Sequence, residues 1–266
     1  MKKMFGKLCY LIILFIIISG CQKEEMLAIE NSVSHSIDSS YTGNEYNLQI
    51  LYPKNYDLSL EYQTIYLLDG DLYFNELAEI VKSKYPSDII LIGIGYKNKN
   101  RRNTDYSYPA DDFLSNSGGA KNYIRFLNNE LLPFIEKNLS IKSSKTTLAG
   151  HSLGAYFALY QLFQQDYPSV FDNIIAVSPS LFWAEAYLLD LENEYHNIND
   201  TLNIKLYSTM GDLEGVTMNT MFDAFNKKIE SRDYIGLSFD HVRLDKTSHN
   251  NNTIKSFDKG ISFILN

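Results

Sequence analysis

The chain has 266 residues, 24 basic against 32 acidic side chains and a formal charge of −8, with 45% hydrophobic residues. Such a balance argues against nucleic acid and anionic lipid surfaces as partners, and the length holds one α/β domain with a sizeable core rather than two. Both cysteines, Cys9 and Cys21, lie at the N-terminus, so no thiol is expected in the mature domain for a disulfide, a metal site or cysteine catalysis, and no cofactor is implied.

Residues 1–20 read as a signal peptide. Lys2, Lys3 and Lys7 give a positive start, and Leu8 to Ile18 is an apolar run of 11 residues, short of the ~20 needed to cross a bilayer. Ile18-Ser19-Gly20-Cys21 resembles the lipobox of bacterial lipoproteins. That resemblance implies lipidation of Cys21 and membrane attachment through several acyl chains, palmitate among them, which hold far more firmly than one. Gln22-Lys23-Glu24-Glu25 resembles the acidic export signal of surface lipoproteins and implies the cell envelope, the outer membrane and its outer face. Loss of Lys2, Lys3 and Lys7 leaves 21 basic and 32 acidic side chains, a formal charge of −11. Residues 21–30 are expected to be a lipidated tether and 31–266 one domain, because no repeat, low-complexity tract or proline-rich linker divides the rest.

Glu45 to Tyr52 alternates and stops at Pro53, the pattern of an outer antiparallel strand. Thr64 to Leu68 and Asp88 to Gly95 are near-continuous apolar runs, as in strands covered on both faces, with helical spacing between them from Leu72 to Lys84. Lys121 to Leu139 is amphipathic, and Pro133 predicts a kink or a new first turn there. Thr146 to Ala149, Asn173 to Val177, Ile204 to Thr209 and Leu237 to Leu244 predict further strands, and Ile254 to Leu265 a last helix. This alternation predicts a mostly parallel sheet with helices on both faces, its functional groups at the carboxyl ends of the strands.

Gly150-His151-Ser152-Leu153-Gly154 lies between a predicted strand and a helix carrying Ala155, Ala158, Leu159 and Leu162. It fits the G-x-S-x-G nucleophile elbow, which makes Ser152 the candidate nucleophile. A serine hydroxyl needs a base, and the base a carboxylate, in the chain order serine, acid, histidine. His35 and His151 precede the serine, His196 falls in the polar Glu192–Asp200 stretch expected to be a solvated loop, and His241 lies inside a strand. His249, in the loop after the last strand, is the expected base. Gly211-Asp-Leu-Glu-Gly215 offers Asp212 or Glu214 as the acid; turn chemistry favours Glu214, since an Asp after Gly commonly caps its own turn. The oxyanion donors are expected to be the backbone N–H groups of Leu153 and Asp71.

Together, Tyr66-Leu-Leu-Asp-Gly70, Gly118 to Leu127, Glu130 to Glu136, Ala149 to Gly154 and Ser178-Pro-Ser-Leu-Phe-Trp183 resemble, in order, the esterase family of the α/β-hydrolase fold. That family includes enterochelin and salmochelin esterases, feruloyl and acetyl-xylan esterases, S-formylglutathione hydrolases and mycolyltransferases. The resemblance implies an acid at Glu214 and a base at His249, and the segment Ser178–Trp183 resembles the siderophore-esterase branch. Ala155 and Asn250 stand where the family commonly has glycine. Arg101 to Pro109 resembles the arginine-rich loop bordering the cleft, so Arg101 or Arg102 is a candidate partner for an anionic catecholate or carboxylate. Trp183 is a candidate cleft wall or a core residue. The expected activity is ester hydrolysis through an acyl-serine, on siderophore-type esters; the alternatives are a feruloyl or acetyl carbohydrate esterase and a surface lipoprotein that only binds.

Overall fold

The computed structural model describes residues 29–251 and 253–266. The expected signal peptide, Cys21 and all but the last two residues of the expected tether lie outside them. No helix among the described residues is long and apolar enough to cross a membrane.

Eight strands form one sheet: β1 (Ser32–Asp38), β2 (Glu45–Leu51), β3 (Tyr62–Leu68), β4 (Ile89–Tyr96), β5 (Ser143–His151), β6 (Asn173–Val177), β7 (Thr201–Gly211) and β8 (Ile235–Leu244). Their order in space is β1-β2-β4-β3-β5-β6-β7-β8. The first two strands pair antiparallel, with β2 joined antiparallel to β4, and every pair from β4 to β8 is parallel. The edge strand β1 has no counterpart in the sequence prediction. Its Ser-Val-Ser-His-Ser-Ile-Asp composition carries only two aliphatic side chains, and Val33 is exposed.

The helices are α1 (Gly70–Lys84), α2 (Arg102–Asp105), α3 (Ala120–Phe126), α4 (Leu132–Asn138), α5 (Leu153–Leu162), α6 (Trp183–His196), α7 (Gly215–Glu230) and α8 (Thr253–Leu265). On one face, Phe74, Leu77 and Val81 of α1 and Phe257 and Ile261 of α8 bury Ile65, Leu67, Ile175 and Val177. On the other, α3, α5 and α7 supply Tyr123, Phe126, Tyr156, Phe157, Phe222 and Phe225 against Leu148, Ile174 and Leu206. The elbow helix α5 is buried along its whole length, so it is apolar all round rather than striped. At the expected kink, a π-helical turn (Leu127–Leu131) joins α3 to α4 in one continuous helix, and Pro133, which has no N–H to donate, follows directly on that widened turn.

The Glu192–Asp200 stretch is the solvated loop that its charge suggests only from Asn197 onward. Helix α6 runs through it to His196, whose ring meets Tyr234 edge-on at 5.2 Å. Glu192 is fully buried and takes hydrogen bonds from Arg232 Nη2 (2.9 Å) and Tyr234 Oη (2.8 Å). A charge run reads as solvated unless its partner, here 40 residues away, is known.

Candidate active site

The candidate catalytic and substrate-binding groups come from the loops and first helical turns that follow the carboxyl ends of β3 to β8. At the end of β5 the backbone of Ser152 adopts φ 59°, ψ −118°, a conformation that costs a non-glycine residue about 1–3 kcal/mol and persists only where the surroundings enforce it. A Cβ on Gly150 would lie 2.5 Å from the carbonyl carbon and oxygen of Gly154, so the turn closes only around glycine. The Ser152 N–H donates to the Val177 carbonyl (2.9 Å) and its own carbonyl accepts from Tyr156 N–H (3.0 Å), which ties the elbow to β6 and α5.

Ser152 Oγ lies 2.9 Å from His249 Nε2, and His249 Nδ1 lies 2.6 Å from Glu214 Oε2. A carboxylate accepts only, so Nδ1 carries the proton and Nε2 is left to accept from the serine hydroxyl. Glu214 precedes α7, and its carboxyl group is fully buried. Its other oxygen accepts from Gly211 N–H (2.6 Å) and the Ser178 hydroxyl (2.6 Å). Burial pushes the Glu214 pKa up, but the hydrogen bonds from His249, Ser178 and Gly211 outweigh it and hold the group below the usual carboxylate range. Asp212, the alternative acid, instead accepts the Thr247 N–H at 3.0 Å and closes the loop. The arrangement can pass a proton from Ser152 to His249 while Glu214 fixes the ring and stabilises its cationic form.

Leu153 and Asp71 occupy the first and second positions of α5 and α1, where backbone N–H groups have no acceptor within the helix. The two helix starts are neighbours, since a Cβ on Gly154 would sit 3.2 Å from Asp69 Oδ2 and 3.5 Å from Leu68 Cβ. The Asp71 N–H is turned toward its own carboxylate, a bond that partly offsets the rise burial imposes on that group.

Of the candidate substrate contacts, Trp183 takes the core alternative rather than the cleft wall, and Arg102, which lines the same groove as Arg101, is also held by the protein's own groups. Trp183 is 2% exposed, and its indole N–H donates to the Pro109 carbonyl at 3.1 Å. It is a core side chain that fixes the loop before α3. Arg102 is committed beneath the elbow: Nε donates to Asp69 Oδ1 at 2.9 Å and Nη2 to the His151 carbonyl at 3.2 Å. Burial lifts the Asp69 pKa to about 6, with Arg102 acting against the rise. Arg101 donates to the Thr42 carbonyl (2.8 Å) and lies 4.0 Å from Asp105, but its side chain stays about one-third exposed. It lines a 590 Å³ groove with Lys99, Asn100, Asn103 and Thr104, and Arg102 links the groove wall to the elbow.

Sequence reasoning missed two supports of the base. His151 Nε2 lies 2.8 Å from the His249 carbonyl oxygen and Nδ1 lies 3.0 Å from Tyr73 Oη. Facing a carbonyl, Nε2 must donate, so Nδ1 accepts the tyrosine hydroxyl. Only the histidine inside the elbow signalled this in the sequence; nothing singled out Tyr73.

A doubly covered, mostly parallel sheet with a strained serine at a strand-to-helix corner, facing histidine and glutamate, defines an α/β hydrolase. The family model described as Putative esterase matches residues 39–228, and the chain belongs to that family. It is 30% identical over 178 residues to the ferri-bacillibactin esterase BesA of Bacillus subtilis, covering 58% of this chain and 60% of that one. Against the siderophore enterobactin esterase of Emericella nidulans it is 31% identical over 148 residues, covering 47% and 48%. The match thus spans 60% and 48% of the length of these curated relatives. Among solved structures it is similar to the BES protein from Bacillus cereus, at 28% identity and a TM-score of 0.79, covering 91% of this chain and 97% of that one.

Proposed function

We propose that this protein is a serine carboxylic-ester hydrolase acting on siderophore-type esters through an acyl-Ser152 intermediate. The observation that carries the reading is the unbroken line from Ser152 Oγ through His249 to Glu214, at 2.9 and 2.6 Å. In this reading Ser152 Oγ attacks the ester carbonyl as its proton passes to His249 Nε2, and the carbonyl π pair moves to oxygen, met by the Leu153 N–H and by the Asp71 N–H once it leaves its own carboxylate. Collapse expels the alcohol oxygen, which takes the proton from Nε2. Water then adds to the acyl carbon, giving a proton to Nε2, and that proton passes to Ser152 Oγ as its bond to the acyl carbon breaks and the acid forms.

Two curated relatives are described as a ferri-bacillibactin esterase and an enterobactin esterase, which supports the substrate class. The groove bearing Lys99 and Arg101 suits a polar, anionic ligand. The lipobox-like Ile18–Cys21 supports membrane anchoring through lipid on Cys21, and Gln22–Glu25 supports the outer membrane as its place.

The test uses the full-length chain in mild detergent with p-nitrophenyl butyrate, then iron-loaded and iron-free catecholate trilactones beside feruloyl and acetyl sugar esters. Ser152→Ala is expected to cut turnover by about 10⁴-fold or more. Equal rates for parent and variant would leave a binding protein, and activity confined to the sugar esters would replace the substrate class. Cys21→Ser is expected to release the protein from the membrane fraction.

A further inference from the structure

The segment Ser178-Pro179-Ser180 touches both ends of the Ser152–His249–Glu214 line. Ser178 stands in the left-handed region at φ 49°, a strained conformation for serine. Its N–H is held by the Thr209 carbonyl at 2.8 Å and its hydroxyl donates to Glu214. Two residues on, Ser180 is 7% exposed, its N–H donates to the Ser152 carbonyl (3.2 Å), and its Oγ lies 3.3 Å from Ser152 Oγ. The strain at Ser178 is maintained in a turn that points one hydroxyl at the acid and another at the nucleophile.

The proton count sets the direction of that second contact. Ser152 has a single hydroxyl proton, and His249 Nε2 is its acceptor at 2.9 Å. Ser152 Oγ can therefore only accept from Ser180, whose O–H is the donor. At 3.3 Å this is a long bond between neutral groups, of the kind that shortens and strengthens as its acceptor gains negative charge.

Resting on the serine-esterase reading, we propose that Ser180 is a further catalytic residue. Its hydroxyl donates a hydrogen bond to Ser152 Oγ and stabilises the charge that develops on that atom. No proton leaves Ser180. The bond acts as Ser152 gives its proton to His249 and forms the C–O bond, and again when that bond breaks and Ser152 Oγ departs from the acyl carbon. The same donor serves acylation and deacylation because Oγ is the attacking atom in one and the leaving atom in the other.

The experiment compares full-length parent, Ser180→Ala and Ser180→Thr for p-nitrophenyl butyrate hydrolysis and for the rate of covalent inactivation by a fluorophosphonate, with thermal unfolding alongside. The alanine variant keeps the backbone bond to Ser152, so it removes the hydroxyl alone. Its kcat and its inactivation rate are expected to fall about 10- to 100-fold, the worth of a hydrogen bond to a charged group, with KM within about threefold and Tm unchanged; the threonine variant is expected to recover most of both rates. Alanine rates within threefold of the parent would overturn the proposal. So would equal losses in Ser180→Ala and Ser180→Thr, or a loss that follows a drop in Tm. If the alanine variant fails to fold, the threonine variant decides: parent-like rates sustain the proposal and a tenfold loss with unchanged Tm overturns it. A parent inert to both reagents would instead sink the esterase reading beneath it.

Discussion

The side chain of His151 holds the backbone of His249: the imidazole Nε2 lies 2.8 Å from the His249 carbonyl oxygen, and the two rings stand 4.7 Å apart. The residue before the nucleophile thereby fixes the loop that delivers the base, 98 positions further along the chain. Burial is the main reason its pKa falls to about 4, against the hydrogen bond to the His249 backbone, which raises it; at neutral pH the ring is therefore uncharged, and its tautomer is set by the His249 carbonyl, which can only accept.

Removal of that clamp is expected to loosen the base. His151→Ala should lower kcat on p-nitrophenyl butyrate about 10-fold, the loss of a buried hydrogen bond at a site that needs sub-ångström placement. His151→Gln, which keeps a donor, should recover part of it. Unchanged kcat in the alanine variant would remove the positioning role.

The same histidine makes a pH prediction. Its folded pKa, about 4, lies below the unfolded value of about 6.5, so the unfolded chain binds more protons between these values and stability falls as pH drops from about 6.5 to 4. The contribution is about 3 kcal/mol when complete. Asp69 and Asp105, both raised to about 6 by burial, act oppositely in this range. The difference between parent and His151→Gln isolates the histidine: in urea unfolding it should shrink steadily from pH 7 to pH 4. A constant difference would refute the assignment.

The acid is decided by paired substitutions. Glu214→Gln should reduce kcat about 10⁴-fold, because an amide at that position disturbs the histidine tautomer. Asp212→Asn keeps an oxygen to accept from Thr247 and should stay within about threefold. Steady-state kinetics that reversed this order would transfer the role to Asp212.

Arg102 separates a structural role from substrate binding. Arg102→Ala leaves Asp69 buried without its cation, and breaking such a pair costs about 3–5 kcal/mol. Asp69 already titrates above its unfolded value, so the loss should be greatest above pH 7 and smaller near pH 5, where the carboxyl group can take up a proton. KM for a neutral ester should not change. A variant as stable as the parent, with raised KM for anionic esters alone, would make Arg102 a substrate contact in the groove that it lines with Arg101.

Gly150→Ala tests the elbow itself. With the new Cβ 2.5 Å from the backbone of Gly154, the turn must open, at about 3 kcal/mol or more. Chemical denaturation should show that loss together with loss of fluorophosphonate labelling at Ser152. Normal stability with normal labelling would mean the corner is not as tight as drawn.

Strands β3, β4 and β6 were legible as compact apolar runs and β2 and β8 by alternation, and the elbow because glycines at both flanks of one serine are a local necessity. The parts that were not legible depend on distant partners. Strand β1 is polar and pairs along one edge only. The charges around Glu192 look solvated until Arg232 and Tyr234 arrive from residues about 40 positions later. Trp183 and Arg102 have the residue types of a binding cleft, yet both spend their hydrogen bonds on the protein's own carbonyls and on Asp69.

The residue pattern alone carries the α/β architecture and the serine at its corner, because periodicity and turn chemistry are written in neighbouring residues, and the order of acid and base follows once that architecture is known. Only the tertiary structure decided that Glu214 rather than Asp212 faces His249, that Ser178 and Ser180 flank the line from either end, and that His151 clamps its partner's loop. Hydrogen bonds depend on distances of a few ångströms between groups that the chain brings together from up to 98 residues apart, and no local pattern encodes those distances.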